Sequence, residues 1–330
     1  MPSFTVFKGH ESGNLVKSTT TKPDELTEDY VLLRVTASGL CGTDLHFRHT
    51  DMVLGHEGVG IVEAVGPQAR YLQKGDRVGW GYEVDSCGHC AECLRGDEVF
   101  CSEGQKYSET NFDQGSFASH AIWRESWVHK IPDTLSDVAA APLQCGGGTV
   151  FQALQGIKPT ETVGILGIGG LGHLAIQFAA KMGCRVVVLS GSERKREEAL
   201  RLGAHEFIAT KGATALSVSS RLDRLLVTAA VPPDWNLLIP ILAPRAAIYP
   251  LTVNMGNFSI PYMALISRGI HVVGSQVPAR AIHKEMLEFA ALHHIEPITE
   301  TFPMTEEKIT EAMDKLDRGE VYYRAVLIPQ

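Results

Sequence analysis

Apolar residues change their spacing near the middle of this chain. From residue 4 to about 81, and again at 115–123, they fall in strand-length runs broken by Gly, Pro and Asp. Residues 30–36, 59–65 and 76–80 are the clearest of these runs, and they predict an all-β, barrel-like opening. After Pro132, Ser136 is placed to cap a helix that passes through 139–142 toward Cys145 and 146–149. Strands and helices then alternate: strand Thr162–Leu166, helix 171–182, strand 185–189 and helix 194–202, with further strands at 224–228, 246–249 and 270–273. Such alternation is the grammar of a parallel sheet covered on both faces. Helices over 282–292 and 305–316 follow, and a strand at 322–327 is where the chain should rejoin its first domain. No internal repeat or low-complexity segment interrupts this order.

Composition narrows the partners. A chain of 330 residues should hold about two domains. With 44% hydrophobic and 21% charged residues it has the make-up of an ordinary soluble globular protein. A net charge of −8 argues against nucleic acid or an anionic membrane as partner, and so favours a small molecule. The run 162–180 is apolar enough to resemble a membrane span, but its glycines suggest another use. Residues 1–10 show no basic stretch followed by an apolar one, so a cytoplasmic protein is expected. Seven cysteines in that compartment point to metal ligation more than to disulfides.

Four of them, Cys87, Cys90, Cys93 and Cys101, lie within fifteen residues. Two-residue gaps let neighbouring thiolates converge on one ion, and four sulfurs complete a tetrahedral Zn²⁺ site. A site saturated with sulfur is structural, so any chemistry must lie elsewhere. Gly167, Gly169, Gly170, Leu171 and Gly172 form a GxGxxG turn between an apolar strand and a helix, the setting in which this motif signals a dinucleotide site on a Rossmann sheet. At the end of the next strand an acidic residue would hold the ribose hydroxyl of NAD. Here the chain reads Ser190, Gly191, Ser192, Glu193, Arg194, Lys195, Arg196. Hydroxyls and cations replace the acid, which favours NADP(H); Glu193 then serves the helix start, and Arg196 reads equally well as a solvated helix face.

Cys41 and Cys145 remain beside histidine-bearing stretches: Cys41, Thr43, Asp44 and His46, then His56 and Glu57. Two thiolates and one imidazole would leave a fourth tetrahedral position open, the pattern of a reactive zinc. Asp44 could orient His56 through its second ring nitrogen. Glu57 is an alternative ligand or a carboxylate that modulates the ion. On spacing alone Cys145 is equally a buried small hydrophobe, and His46 and His49 are by default loop residues. Trp80 and Tyr82 are either pocket walls or core aromatics.

Together these motifs resemble the zinc-containing alcohol dehydrogenases of the medium-chain dehydrogenase/reductase superfamily, in particular the cinnamyl-alcohol-dehydrogenase-like NADP(H)-dependent aldehyde reductases. The resemblance runs nearly end to end, through residues 39–46, 55–58, the four-cysteine stretch, 142–149, 167–172 and 322–324. It implies an α/β chain with a GroES-like β-barrel catalytic domain over 1–146 and 277–330, carrying a structural zinc lobe at 87–101. A doubly wound Rossmann domain is implied over 147–276. It also implies Cys41, His56 and Cys145 as ligands of a catalytic zinc, and hence two zinc ions per chain. Thr43 is implied to take the substrate proton and His46 to pass it on, Ser190 and Lys195 to contact a 2′-phosphate, and Thr149 and Arg324 to contact the cofactor, Arg324 at its pyrophosphate. Gly191 stands where such relatives often carry another Ser. The loop between Cys41 and His56 is shorter than in that family, which puts substrate size in question, and residues 243–250 lack the family's usual glycines. Hydride transfer between NADP(H) and a primary alcohol/aldehyde pair is the implied reaction, in a homodimer or homotetramer. Reduction of a C=N or conjugated C=C bond on the same scaffold, or NADPH binding without catalysis, are the alternatives.

Overall fold

Strand Tyr30–Leu40 alternates buried and less buried positions through Val35, then buries every residue from Ala37 to Leu40. The alternating part faces a core on one side only, and the continuous part is covered on both. The computed structural model describes Pro2–Gln330. Its first unit runs through Gly148 and resumes over Val277–Gln330; its second is Thr149–Gln276.

In the first unit a seven-stranded sheet runs in the order Thr299–Pro303, Arg324–Ile328, Tyr30–Leu40, Gly58–Val65, Arg77–Trp80, His129–Lys130, with His120–Arg124 also pairing with Tyr30–Leu40. Only Thr299–Pro303 and Arg324–Ile328 run parallel; the other pairs are antiparallel. A separate hairpin joins Ser3–Lys8 to Val16–Thr21. The core packs Leu33, Leu40, Val62, Trp80, Phe117 and Trp123 among others. The run at 115–123 becomes strand only at His120, because its earlier residues divide their hydrogen bonds among other segments. Ser116 and Phe117 donate to Gly55 and Leu54, Phe117 accepts from Phe7, and Ser119 donates to Thr5. The closing strand starts at Arg324 rather than 322, since Tyr323 has φ +67°, outside the extended region.

The second unit holds a six-stranded, all-parallel sheet: Glu206–Ala209, Arg185–Ser190, Thr162–Leu166, Leu222–Val227, Leu242–Pro250, His271–Val272. Counted along the chain this is order 3-2-1-4-5-6, the Rossmann arrangement, with its switch point between Thr162–Leu166 and Leu222–Val227. Strand Thr162–Leu166 is buried at four consecutive positions and half-buried at Leu166, as a central parallel strand requires. Strand Thr162–Leu166, the glycine turn and helix Gly172–Lys181 divide the apolar run that resembled a membrane span. Among the described residues no helix is long and apolar enough to cross a membrane. The helix expected over 194–202 opens as a 3₁₀ turn, Glu193–Lys195, before α-helix Arg196–Arg201.

Candidate metal centre and dinucleotide turn

Neighbouring strand ends in the first unit gather the buried cluster. Ser38 pairs with Gly58, and Leu40 pairs with Ala325. Cys41 therefore leaves the end of one strand beside His56 and Glu57, which lead into the second, and beside Arg324, which starts the third. Gly39 makes room for this. A Cβ there would stand 1.9 Å from Glu57 Oε2. Cys145 arrives from helix Asp137–Pro142, whose N-cap Ser136 accepts from Ala139 N–H at 3.1 Å. The helix then widens into a π turn, Leu143–Gly147, that carries Cys145, a departure often found at functional sites. Gln144 fastens that turn: its Nε2 donates to Ala140 O and its Oε1 lies 3.0 Å from His283 Nε2.

The donor atoms of Cys41, His56, Glu57 and Cys145 all lie within 4.8 Å of one another. His56 is buried, and its Nε2 has no hydrogen-bond partner among the described residues. A buried imidazole nitrogen with no hydrogen-bond partner, beside two thiols, fits a metal ligand. Its other nitrogen, Nδ1, lies 3.0 Å from Asp44 Oδ1, so Nε2 is the free lone pair when Nδ1 carries the proton. Asp44 is wholly buried and also accepts from Cys41 N–H (2.9 Å), Gly55 N–H (3.2 Å) and Tyr107 OH (3.0 Å).

Electrostatics fit the same use. The hydrogen bond from Cys145, helped by nearby His56 and Arg324, holds the Cys41 thiol well below its ordinary range against the cost of burial. The same shared proton, with burial, lifts Cys145. Burial works against a charged His56, but Asp44 and Cys41 raise it well above its usual value. A divalent cation would replace those protons. Burial pushes Glu57 up to about 7 although Arg324 opposes it. Both Glu57 oxygens accept from Arg324 Nη2. Arg324, expected from the sequence at a cofactor pyrophosphate, is buried here against Glu57, with its Nε unpaired among the described residues.

Thr43 stands beside Cys41, its Oγ1 3.8 Å from Cys41 Sγ. His46, three residues on along helix Gly42–His46, is exposed. The pair thus spans the step from buried cluster to solvent on one helix face. Trp80 is fully buried in the core, which excludes it as a pocket wall, whereas half-buried Tyr82 meets His56 edge-on at 5.8 Å. Tyr107, which no sequence motif marks, lies against His56 with ring centroids 4.7 Å apart.

The four-cysteine stretch makes the second cluster. Its sulfurs also lie within 4.8 Å of one another, and Cys87 and Cys93 are 3.9 Å apart. Thiolates on one tetrahedral zinc stand ~3.8 Å apart, given metal–sulfur bonds of about 2.3 Å. Cys90 N–H points to Cys87 Sγ (3.3 Å) and Cys93 N–H to Cys90 Sγ (3.5 Å). None of the seven cysteines is in a disulfide.

In the second unit the glycine turn sits at the sheet's switch point. Gly167 has φ +99°, and a Cβ on Gly172 would lie 2.0 Å from Gly167 O. Gly169 differs, since a Cβ there would meet nothing within 4 Å. Its bareness serves no packing within the protein, and it suits the approach of a phosphate to the backbone. Beyond the carboxyl ends of Leu222–Val227 and Leu242–Pro250 lies a cavity of about 540 Å³, lined by Ala229, Trp235, Pro250, Thr252 and Phe258 among others. At the next strand end, Glu193 is bound to Arg196 (2.5 Å). Gly191, Ser192 and Arg194 are exposed and Ser190 half-buried. Lys195 donates to Ile168 O at 3.0 Å. Thr149, half-buried, lies in helix Gly148–Leu154.

Residues 27–133 match the family model of the alcohol dehydrogenase GroES-like domain, and residues 170–292 that of zinc-binding dehydrogenase. The chain is 37% identical over 313 residues to the probable formaldehyde dehydrogenase AdhA of Bacillus subtilis (strain 168), covering 90% of this chain and 89% of that one. It is 33% identical over 315 residues to the aldehyde reductase AdhA of Synechocystis sp., covering 92% and 93%. Among solved structures, the cinnamyl alcohol dehydrogenase SbCAD4 from Sorghum bicolor superposes with a TM-score of 0.90 at 29% identity, covering 99% and 98% of the two chains. CAD from Helicobacter pylori complexed with NADP(H) shares the fold, with a TM-score of 0.87 at 23% identity over 99% and 98%.

Proposed function

This chain belongs to the zinc-containing alcohol dehydrogenase family of medium-chain dehydrogenase/reductases, and on that premise we propose that it reduces an aldehyde to a primary alcohol with NADPH, at a zinc ion held by Cys41, His56 and Cys145. It is an alcohol–aldehyde oxidoreductase of that family; the metal ligands, the cofactor and the direction are the proposed part. The observation that carries the reading is the unpartnered Nε2 of His56, buried beside two thiols.

Bound zinc would supply Lewis acidity to the reacting oxygen, and bound NADP(H) the hydride. The chain's own residues do the rest. Asp44 keeps the proton of His56 on Nδ1, so that Nε2 faces the thiols. Arg324 engages Glu57 in an ion pair, and the two sulfurs and the imidazole are the ligands of the proposed set. Thr43 Oγ1 gives the substrate its proton, and His46 replaces that proton from solvent.

NADPH is favoured because no free acid stands at the end of Arg185–Ser190. Glu193 is paired with Arg196. Ser190, Ser192 and Arg194, with Lys195 held at Ile168 O, would receive a 2′-phosphate beside the Gly167–Gly172 turn. A homodimer, or a homotetramer built from it, is supported by the open edge strand His271–Val272 and by exposed Tyr262, Met263 and Ile266 on the helix that precedes it.

The test is a panel of aldehydes, enones and cyclic imines run with both cofactors. Aldehyde-dependent oxidation of NADPH, with kcat/KM at least about tenfold above that for NADH, is expected from a charge-assisted phosphate contact. Arg194→Ala should remove most of that preference and leave NADH turnover unchanged. NADPH oxidation with an enone or imine, and with no aldehyde, contradicts the reading.

A further inference from the structure

The two stems of the four-cysteine stretch pair as strands Glu83–Asp85 and Gln105–Lys106. Just beyond that pairing, Tyr107 N–H donates to Tyr82 O at 2.8 Å, which fixes where the Tyr107 side chain enters the core. Tyr107 is buried. Its hydroxyl donates to Asp44 Oδ1 (3.0 Å) and accepts from Gly55 N–H (3.1 Å). Its ring covers His56 at 4.7 Å with 35° between planes, and meets Phe47 edge-on at 5.8 Å.

One side chain therefore fixes His56 in three ways: through the carboxylate that holds its ring nitrogen, through the backbone of the preceding residue, and across its face. Asp44 is the junction. Its Oδ1 faces His56 Nδ1, Tyr107 OH and Gly55 N–H, while Oδ2 takes Cys41 N–H. Without the hydroxyl, that oxygen would lose a donor in a site closed to water, and the carboxylate could turn away from the imidazole.

We infer that Tyr107 is a positioning residue of the Cys41–His56–Cys145 centre, holding Asp44 in the rotamer that presents His56 Nε2 to the metal. It is buried, and it acts through Asp44. The inference rests on the zinc reading of that centre.

Tyr107→Phe tests it, because the ring and its packing stay while the hydroxyl goes. Zinc affinity is read in the full-length protein by competition with a colorimetric chelator, and ligand geometry by the d–d and thiolate charge-transfer absorption of the cobalt-substituted protein. The inference expects the metal at the Cys41 centre to bind about 10–100-fold more weakly, the range for loss of a group that orients a ligand. The four-cysteine metal should be unaffected, and the cobalt spectrum of the buried centre should shift. In an Asp44→Asn background the same change should cost less than about twofold, since both variants break one chain of contacts. Unchanged affinity and spectrum in Tyr107→Phe, or an equal cost in both backgrounds, overturns the inference. If Tyr107→Phe proves unable to fold, Tyr107→3-fluorotyrosine, whose more acidic hydroxyl donates more strongly to Asp44, should shift the cobalt spectrum of the buried centre; an unchanged spectrum overturns the inference. Cys145→Ser separates the two levels. If Cys145→Ser still binds the second metal, the zinc reading fails; if it loses that metal and Tyr107→Phe does not weaken it, only the Tyr107 inference fails.

Discussion

Two cysteine clusters in one unit of this protein are built by opposite means. The four-cysteine lobe draws every donor from one stretch, Cys87–Cys101, with three of its sulfurs half-buried and no other residue type in the set. The other cluster takes Cys41, His56 with Glu57, and Cys145 from distant segments, buries His56, Glu57 and Cys145, and mixes sulfur, nitrogen and oxygen. A closed set of thiolates near the surface can bind an ion and stabilise a loop. A mixed set, backed by a buried carboxylate on one side and a buried guanidinium on the other, can hold an ion and still leave a position for substrate.

Replacing one sulfur in each cluster should break the comparison most sharply. Cys145→Ser is expected to lower kcat/KM on the order of 10³-fold or more, the scale of losing several kcal/mol of Lewis-acid stabilisation. Cys93→Ser should instead lower the thermal midpoint while the folded fraction keeps its turnover. Steady-state rates per folded molecule, with the fraction folded read by circular dichroism, decide this; a fully active Cys145→Ser would end the distinction.

The next contrast is between ion pairs. Arg324→Leu strands the Glu57 carboxylate in a site closed to water, and about 3–5 kcal/mol of stability should be lost in urea unfolding. Arg95→Ala removes the exposed Glu92–Arg95 pair on helix Ala91–Arg95 of the lobe, and no measurable change is expected. Equal effects would show that burial does not separate the two regions.

An effect smaller than that of Arg324→Leu is expected on the lobe's stem. Glu83 is buried with neither carboxylate oxygen hydrogen-bonded among the described residues, and burial pushes it up to about 7. A raised folded value means the folded state holds the proton more tightly. Glu83 therefore costs nothing below its unfolded value and becomes increasingly destabilising as pH rises from there to about 7. Glu83→Gln should raise stability by about 1–3 kcal/mol above pH 7 and leave it unchanged at pH 4. An unfolding series over that range checks the slope, and a pH-independent difference would refute the cause.

The same contrast explains what could be read from the sequence. The lobe was legible because its cysteines are neighbours in the chain, and the glycine turn because Gly167, Gly169 and Gly172 mark their own local geometry. Cys145 was not legible by spacing, since only the π turn after Pro142 and the register of distant strands bring it to Cys41. Glu57 and Arg324 are 267 residues apart, so their pairing follows from sheet order and from no local pattern. Tyr107 looks like any loop aromatic until the pairing of Gln105–Lys106 with Glu83–Asp85 aims it at Asp44. The strand expected over 115–123 failed for a related reason: its partners lie in segments that only the fold brings together.

Counting metal tests the central claim most directly. Elemental analysis of the purified wild-type protein and of Cys145→Ser should give about two zinc ions per chain in the first and about one in the second, from the two donor sets. One zinc in the wild type, or an unchanged count in Cys145→Ser, would contradict the assignment of Cys41, His56 and Cys145 as a second metal centre.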